Sequence, residues 1–246
     1  MAKGVIIMKE EGFTQHHISR QFNIELSELR NQFLSMGGLV EEQLANAITA
    51  LVTRDYHLAK QVATSDYKVN ALEVTIDEES RIIIARRQPT AIDLRLVMAV
   101  IKTITDLERI GDEAEHIAQM ALQMEGEASD KYFIAVNHLG DYVCSMLHDA
   151  LDAFARLDTE SALQVIHESI KVDGEYENIS RQLLTYMMEN QRTIPVILNI
   201  LWSARALERI AAHSRNICEY LIYLVKGKDI RHTSLERVEE QALHAP

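Results

Sequence analysis

Apolar residues recur at helical spacing through Leu26, Leu29, Phe33, Met36, Val40, Leu44, Ile48 and Leu51, which predicts one long amphipathic helix. Asp55 opens a second helical segment, and Tyr67, Val69, Leu72, Ile76 and Ile83 continue its period. Pro89 ends it, because proline disfavours helix at the preceding residue and has no N–H to donate inside one. Thr90 or Asp93 is placed to cap the next helix. The stripe of that helix runs Val97, Ile101, Ile104, Leu107, Ile110, Ala114, Ile117 and Ala121. The stretch Glu125–Asp130, EGEASD, has loop composition and reads as a linker.

The second half then repeats the first. At an offset of 103, Val40 matches Val143, Leu44 matches Leu147, Ala50 matches Ala153 and Asp55 matches Asp158. At an offset of 100, LERI at 107–110 matches LERI at 207–210. The slip between the two offsets falls in the turns near Pro89 and Pro195, where changes of length cost little. A period of this size is too long for a solenoid. It marks two copies of one helical unit, each with three main helices, antiparallel where short turns join them. The fold predicted is all-α, with two tandem three-helix bundles related by internal pseudo-symmetry. A single long bundle with one apolar core is the alternative. The repeats are drawn at residues 13–126 and 129–227, with residues 1–12 and 228–246 as tails.

Composition agrees with that picture. Glycine and proline make up about 5% of the chain, against roughly 12% on average. Sandwiches, barrels and propellers need many more tight turns. Lysine and arginine number 25 against 37 aspartates and glutamates, a net charge of −12. That balance argues against broad binding to nucleic acid or to an anionic membrane, and suits cations, metals or basic protein patches. Cys144 and Cys218 are far apart and imply no disulfide framework or cysteine-based zinc site. The N-terminal apolar run is too short for a signal peptide, and no window is apolar over about 18 residues. The cytoplasm is the expected location.

The chemistry lies where an apolar stripe turns acidic. Val97, Ile101 and Ile104 lead at helical spacing to Glu108, Gly111 and Asp112. In the second copy Ile197, Leu201 and Ala204 lead to Glu208, Ala211 and Ala212. Residues four apart share a helix face, so Glu108 and Asp112 are expected to point the same way, near the buried edge. Carboxylates so placed need a cation, a basic side chain or a proton. The preceding helix offers Asn70, Glu73 and Asp77, followed by Glu78 and Glu79. Oxygen ligands from two facing helices suit a hard or borderline divalent metal, or iron. The competing reading is that Glu108 pairs with Arg109, Arg95 or another arginine and no metal binds. The corresponding second-copy positions, Asp173, Tyr176 and Ser180 beside Glu175 and Glu177, are poorer in carboxylates. Glu113-x-x-His116 has the spacing of a di-iron half-site, but the second copy has His213-Ser214-Arg215-Asn216. His16 and His17 read as solvated. No phosphate-binding glycine loop or Ser-His-Asp grouping is legible.

Three segments carry a resemblance: MGGLVEEQL at 36–44, RRQPTAIDLRLVMAVIKTITDLERIGDEA at 86–114 and SARALERIAAHSRNICEYL at 203–221. With the tail VKGKDIRH at 225–232, they resemble the PhoU family, accessory and regulatory proteins of the bacterial phosphate-specific transport system. The resemblance spans roughly residues 13–235, duplication included. It implies two three-helix bundles in a cytoplasmic, commonly dimeric protein without enzymatic activity. It implies negative regulation of phosphate uptake and of the phosphate-starvation regulon. It also implies an adaptor between the phosphate transporter ATPase subunit and the phosphate sensor histidine kinase, meeting the membrane only through those partners. Some members bind iron or zinc clusters through a Glu/Asp-x-x-x-Asp motif in each repeat. Here that motif is intact at Glu108 and Asp112, whereas the copy beginning at Glu208 ends in Ala212. The residues alone leave two alternatives open, a metal-dependent enzyme using the face of Glu73, Asp77, Glu108 and Asp112, and a scaffold whose carboxylates only make salt bridges.

Overall fold

The computed structural model describes residues 20–124 and 129–230, which form seven α-helices and no strand. The first half contains α1 (Arg20–Thr53), α2 (Tyr56–Ala63), α3 (Tyr67–Arg87) and α4 (Ala91–Leu122). The second contains α5 (Ile134–Arg156), α6 (Thr159–Glu189) and α7 (Ile194–Lys226). Single 3₁₀ turns at Asp130–Tyr132 and Gln191–Thr193 lead into α5 and α7. Together α2 and α3 occupy the place of α6, so each half is a three-helix bundle. Residues 125–128 of the expected linker, the tails 1–12 and 231–246, and His16 and His17 lie outside the described residues. Lys228–Ile230 are described, and Ile230 is buried.

The expected continuous helix from Asp55 to Pro89 is broken at Thr64–Asp66. Thr64 Oγ1 donates to Lys60 O at 2.9 Å, and Ser65 Oγ donates to Val62 O at 3.0 Å. Short hydroxyl side chains compete for the helix carbonyls and favour its end. The equivalent residues His167, Glu168 and Ser169 lie inside α6, which stays continuous.

The duplication is visible in atomic detail. Asp55 and Asp158 cap α2 and α6 in the same way, each side chain accepting two backbone N–H groups of the first turn. The residue before each cap, Arg54 or Leu157, has a left-handed backbone, with φ 58° and 56°. Helices α1 and α5 pack antiparallel through a reciprocal contact. The bare Cα of Gly37 faces Leu151, and that of Gly140 faces Ile48. Those residues are equivalent at the offset of 103, so the seam is a pseudo-twofold one. Phe33 and Phe154, both fully buried, meet across it with ring centroids 4.6 Å apart. A single apolar core runs through both bundles. The most extensive helix pair is α4 with α7, which joins the two halves along a second seam.

Candidate functional site

Helices α3 and α4 bring the acidic stripes together. Glu73 on α3 and Glu108 on α4 are half-buried. Burial comes first in holding both carboxyls above the usual range. Neighbouring negative charge adds to it, from Asp77 and Asp112 at Glu73 and from Asp112 and Glu73 at Glu108. The nearby Thr105 hydroxyl, which donates to Ile101 O at 3.4 Å, opposes the shift at Glu73. Asp112, expected near the buried edge, is exposed and faces the same acidic surface from the solvent side. One helical turn carries the chain from residue 108 to 112 and around toward water. Asp77 turns to Arg81 one helical turn on, at 2.9 Å. Glu78 is exposed and Glu79 accepts from Gln32 on α1 at 3.0 Å, so both stand away from the cluster.

The floor of this face holds two residues that spacing did not single out. Asp66, at the break between α2 and α3, is 6% exposed, and Gln43 on α1 is 4% exposed. Asp66 Oδ1 and Gln43 Oε1 have no hydrogen-bond partner among the described residues. Both oxygens look onto Gly111, where a Cβ would lie 3.0 Å from the first and 3.4 Å from the second. The glycine therefore leaves room for this polar floor, and its place on the core-facing side of α4 agrees with the sequence period. Asn70 donates to Asp66 Oδ2 at 2.7 Å. Burial first, then Asp112 and Glu115, pushes the Asp66 carboxyl upward. The break residues Thr64-Ser65-Asp66 were the only signal for this position in the sequence.

Among the described residues no cation lies within ion-pair distance of Glu73, Glu108 or Asp112. Arg109 is near enough only to pull Glu73 and Glu108 slightly downward. Arg95 packs instead against Gly227 at the end of α7. Equally, no three of the described histidine, cysteine, aspartate and glutamate side chains close on one point as a ready-made ligand shell. The face is a set of neighbouring, unneutralised carboxylates open to water.

The second half is built differently at the same place. Glu208 is half-buried, and burial is the first cause of its upward shift. It is held by Arg205 at 3.1 Å. The Arg205 guanidinium lies 5.4 Å from the centre of the Tyr176 ring, where the first half has Thr105 and Glu73. Asp173 and Glu177 are exposed, with Glu177 beside Arg181 at 3.8 Å. Ser169 replaces Asp66 and donates to Ile166 O at 2.8 Å. A tyrosine, a serine and an alanine thus stand where the first half has Glu73, Asp66 and Asp112, and an arginine stands for Thr105.

The most buried acids of α4 face neither site. Asp106 Oδ1 accepts from His213 Nδ1 at 2.7 Å and from Asn216 at 3.0 Å. Glu113 Oε1 meets Arg209 at 2.7 Å, and His116 Nδ1 is 3.8 Å from Glu113 Oε2. The Glu113-x-x-His116 spacing thus belongs to the α4–α7 seam.

A duplicated three-helix fold, with an acidic face in the first half and an arginine-paired counterpart in the second, places the chain among two-repeat helical bundle proteins. The sequence pattern of the PhoU domain matches twice, at residues 33–121 and 136–221. The chain is 53% identical over 224 residues to the phosphate-specific transport system accessory protein PhoU of Serratia marcescens, covering 91% of this chain and 92% of that one. It is 50% identical over 224 residues to the protein of the same name from Escherichia coli strain K12, covering 91% and 93%. The crystal structure of PhoU from Pseudomonas aeruginosa is 49% identical and superposes with a TM-score of 0.81, over 84% of this chain and 100% of that one. The phosphate transport system regulatory protein PhoU from Streptococcus pneumoniae, at 31% identity, gives a TM-score of 0.78 over 85% of this chain and 98% of that one. The chain belongs to the PhoU family. No helix among the described residues is long and apolar enough to cross a membrane.

Proposed function

We propose that this protein is the accessory protein of a phosphate-specific transport system, a non-enzymatic regulator that lowers phosphate uptake and the phosphate-starvation response when phosphate is plentiful. The observation that carries this reading is the match along both repeats to proteins that bear that name, at half identity over nine-tenths of the chain. Two bundles of one architecture but different surface charge suit an adaptor that engages a transporter ATPase on one side and a sensor histidine kinase on the other. It does this in the cytoplasm. A phosphate-responsive reporter in a deletion strain tests the regulation. Loss of the protein should switch phosphate-starvation genes on in rich phosphate, and continued repression would overturn the reading. Capture of the protein from phosphate-replete cells tests the adaptor, with the ATPase subunit or the kinase as the expected companion.

A second reading rests on the carboxylates that no cation of the described residues meets at ion-pair distance. We propose that Glu73, Glu108 and Asp112, with Asp66 below them, attract a divalent cation or iron, water supplying the remaining oxygens. Asp77 lies at the margin, and Glu208 belongs to a weaker second-half counterpart. Bound there, the ion would neutralise like charges between α3 and α4. Titration calorimetry with zinc, manganese and ferrous iron should find preferential loading of the first half. Asp112→Ala should abolish most of the heat, and Ala212→Asp should raise affinity or stoichiometry. Equal occupancy of both halves in the present sequence would refute the asymmetry.

A further inference from the structure

The two seams between the halves obey different rules. In the α1–α5 seam, Gly37 faces Leu151 and Gly140 faces Ile48, so the contact is reciprocal under the duplication. That glycine contact is self-complementary. The one-sided pairs beside it, Phe33 with Phe154 and the exposed His148 with Glu41 at 2.9 Å, bury no ion pair. This seam by itself therefore discriminates little against a first half of another chain. The α4–α7 seam has the same antiparallel geometry. Asp106 sits opposite His213 and Asn216, and Glu113 sits opposite Arg209. Its residues are not reciprocal. At the offset of 100, Asp106 corresponds to Ala206 and Glu113 to His213. Both acids are on α4, and the basic groups that meet them across the seam, Arg209 and His213, are on α7.

The cost of each wrong pairing follows from these contacts. Two first halves joined in the same geometry would place Asp106 against Glu113, twice. Arg109 would stand where Arg209 does and His116 where Asn216 does, but His213, the closest partner of Asp106, would be replaced by an acid. Both acids are less than a tenth exposed, and like charges so buried are strongly unfavourable. Two second halves would place Arg209 against His213 with no acceptor, and His213 against Ala206. Lys102 gives a third, independent discrimination. Its ammonium lies 5.5 Å from the ring centre of Tyr220 and 5.8 Å from that of Tyr223. The equivalent first-half residues are Met120 and Gln123, which offer a cation no aromatic face. A first half against a second half is the pairing that satisfies all these groups.

We infer that Asp106, Glu113, Arg209 and His213 form a pairing code that makes each first half accept only a second half, so that the duplicated chain closes on itself and does not assemble like with like. The surface discriminated against is the same half of a second copy of this chain.

The test uses the full chain and exploits the duplication. Asp106→Ala with Glu113→His gives α4 the residues of α7, and Ala206→Asp with His213→Glu gives α7 those of α4. Each double variant should unfold at a urea midpoint lower by roughly 1 M. The quadruple variant combines all four changes and inverts the code, since Arg109 and Arg209 are present in both halves. It should recover most of that loss. Isotope-labelled and unlabelled copies of the two double variants, unfolded and refolded together, should give mixed complexes in native mass spectrometry well above the statistical 1:2:1 distribution. Labelled and unlabelled protein of the present sequence, refolded together, should show no such excess. Double variants with an unchanged midpoint, a quadruple variant no more stable than they are, or a co-refolded mixture without that excess would each overturn the inference. If the double variants fail to fold alone, the quadruple variant and the co-refolded mixture still decide.

Discussion

Asp66 shows how one buried carboxyl can govern the first bundle. Its Oδ1 lies against Gln43 and Gly111 without a donor, and Asp112 and Glu115 add negative charge nearby. Gly111 makes the arrangement possible by leaving the space that the two oxygens fill. Asp66, Glu73 and Glu108 all hold their protons to higher pH in the folded chain than in the unfolded one. Between the unfolded values, about 3.9–4.3, and the raised folded ones, the native state binds more protons, so stability falls as pH rises through that window. Asp66 is the most buried of the three, so Asp66→Asn removes the largest share of this penalty while keeping an amide oxygen for Asn70. We expect the variant to be more stable than the unsubstituted protein at pH 7. The difference should shrink as the pH falls below the unfolded carboxyl range, where the aspartate side chain is neutral in both states. Urea midpoints at pH 7 and pH 3 check this, and a difference independent of pH would show that the gain is not electrostatic.

At the scale of the element, the long helices were legible because their apolar periods are long and unbroken. Helix α1 keeps its stripe from Leu26 to Leu51, and α4 keeps its own from Val97 to Ala121. The break between α2 and α3 was not legible, because the apolar period continues across it and only the side chains of Thr64 and Ser65 end the helix. The α3–α4 acidic face was legible in part. Helical spacing put Glu73, Glu108 and Asp112 on facing stripes, but no spacing rule reaches from Asp66 or Gln43 to Gly111. Glu113 stood out only for its spacing to His116 and Asp106 not at all, because their seam partners lie about a hundred residues away on α7. The end of α3 carries its own prediction. Gln88 has φ 48° and ψ 56° and is exposed, with its N–H given to Ile84 O. A side chain meets a steric penalty in that left-handed region and glycine does not. Gln88→Gly should therefore stabilise the chain by about 0.5 kcal/mol after allowing for the greater freedom of unfolded glycine. Thermal unfolding of the variant checks the sign, and a lower midpoint would show that the Gln88 side chain makes a contact worth more than the strain.

At the scale of the whole molecule, a shared core and two seams join the bundles, and the α1–α5 seam is where the pseudo-symmetry can be measured. Gly37 and Gly140 occupy equivalent positions, yet their surroundings differ in stiffness. A Cβ at Gly37 would lie 3.0 Å from Leu151 Cδ1 and Cδ2, the far ends of a flexible side chain. A Cβ at Gly140 would lie 2.9 Å from Ile48 Cγ2 and 3.1 Å from its Cδ1. The Cγ2 of isoleucine branches from Cβ and cannot swing away without a change of χ1 rotamer. Alanine in place of a mid-helix glycine is worth up to about 1 kcal/mol from propensity alone. At Gly37 that gain should offset the small shift of Leu151, leaving the Gly37→Ala variant close to the original stability. At Gly140 overpacking should win, and Gly140→Ala should destabilise by about 1–2 kcal/mol. The cause can be isolated by a double-mutant cycle. In an Ile48→Ala background the clash is gone, so adding Gly140→Ala should raise the urea midpoint. A Gly140→Ala penalty that persists in that background would show that the close approach is set by the α1 backbone and not by the Ile48 side chain.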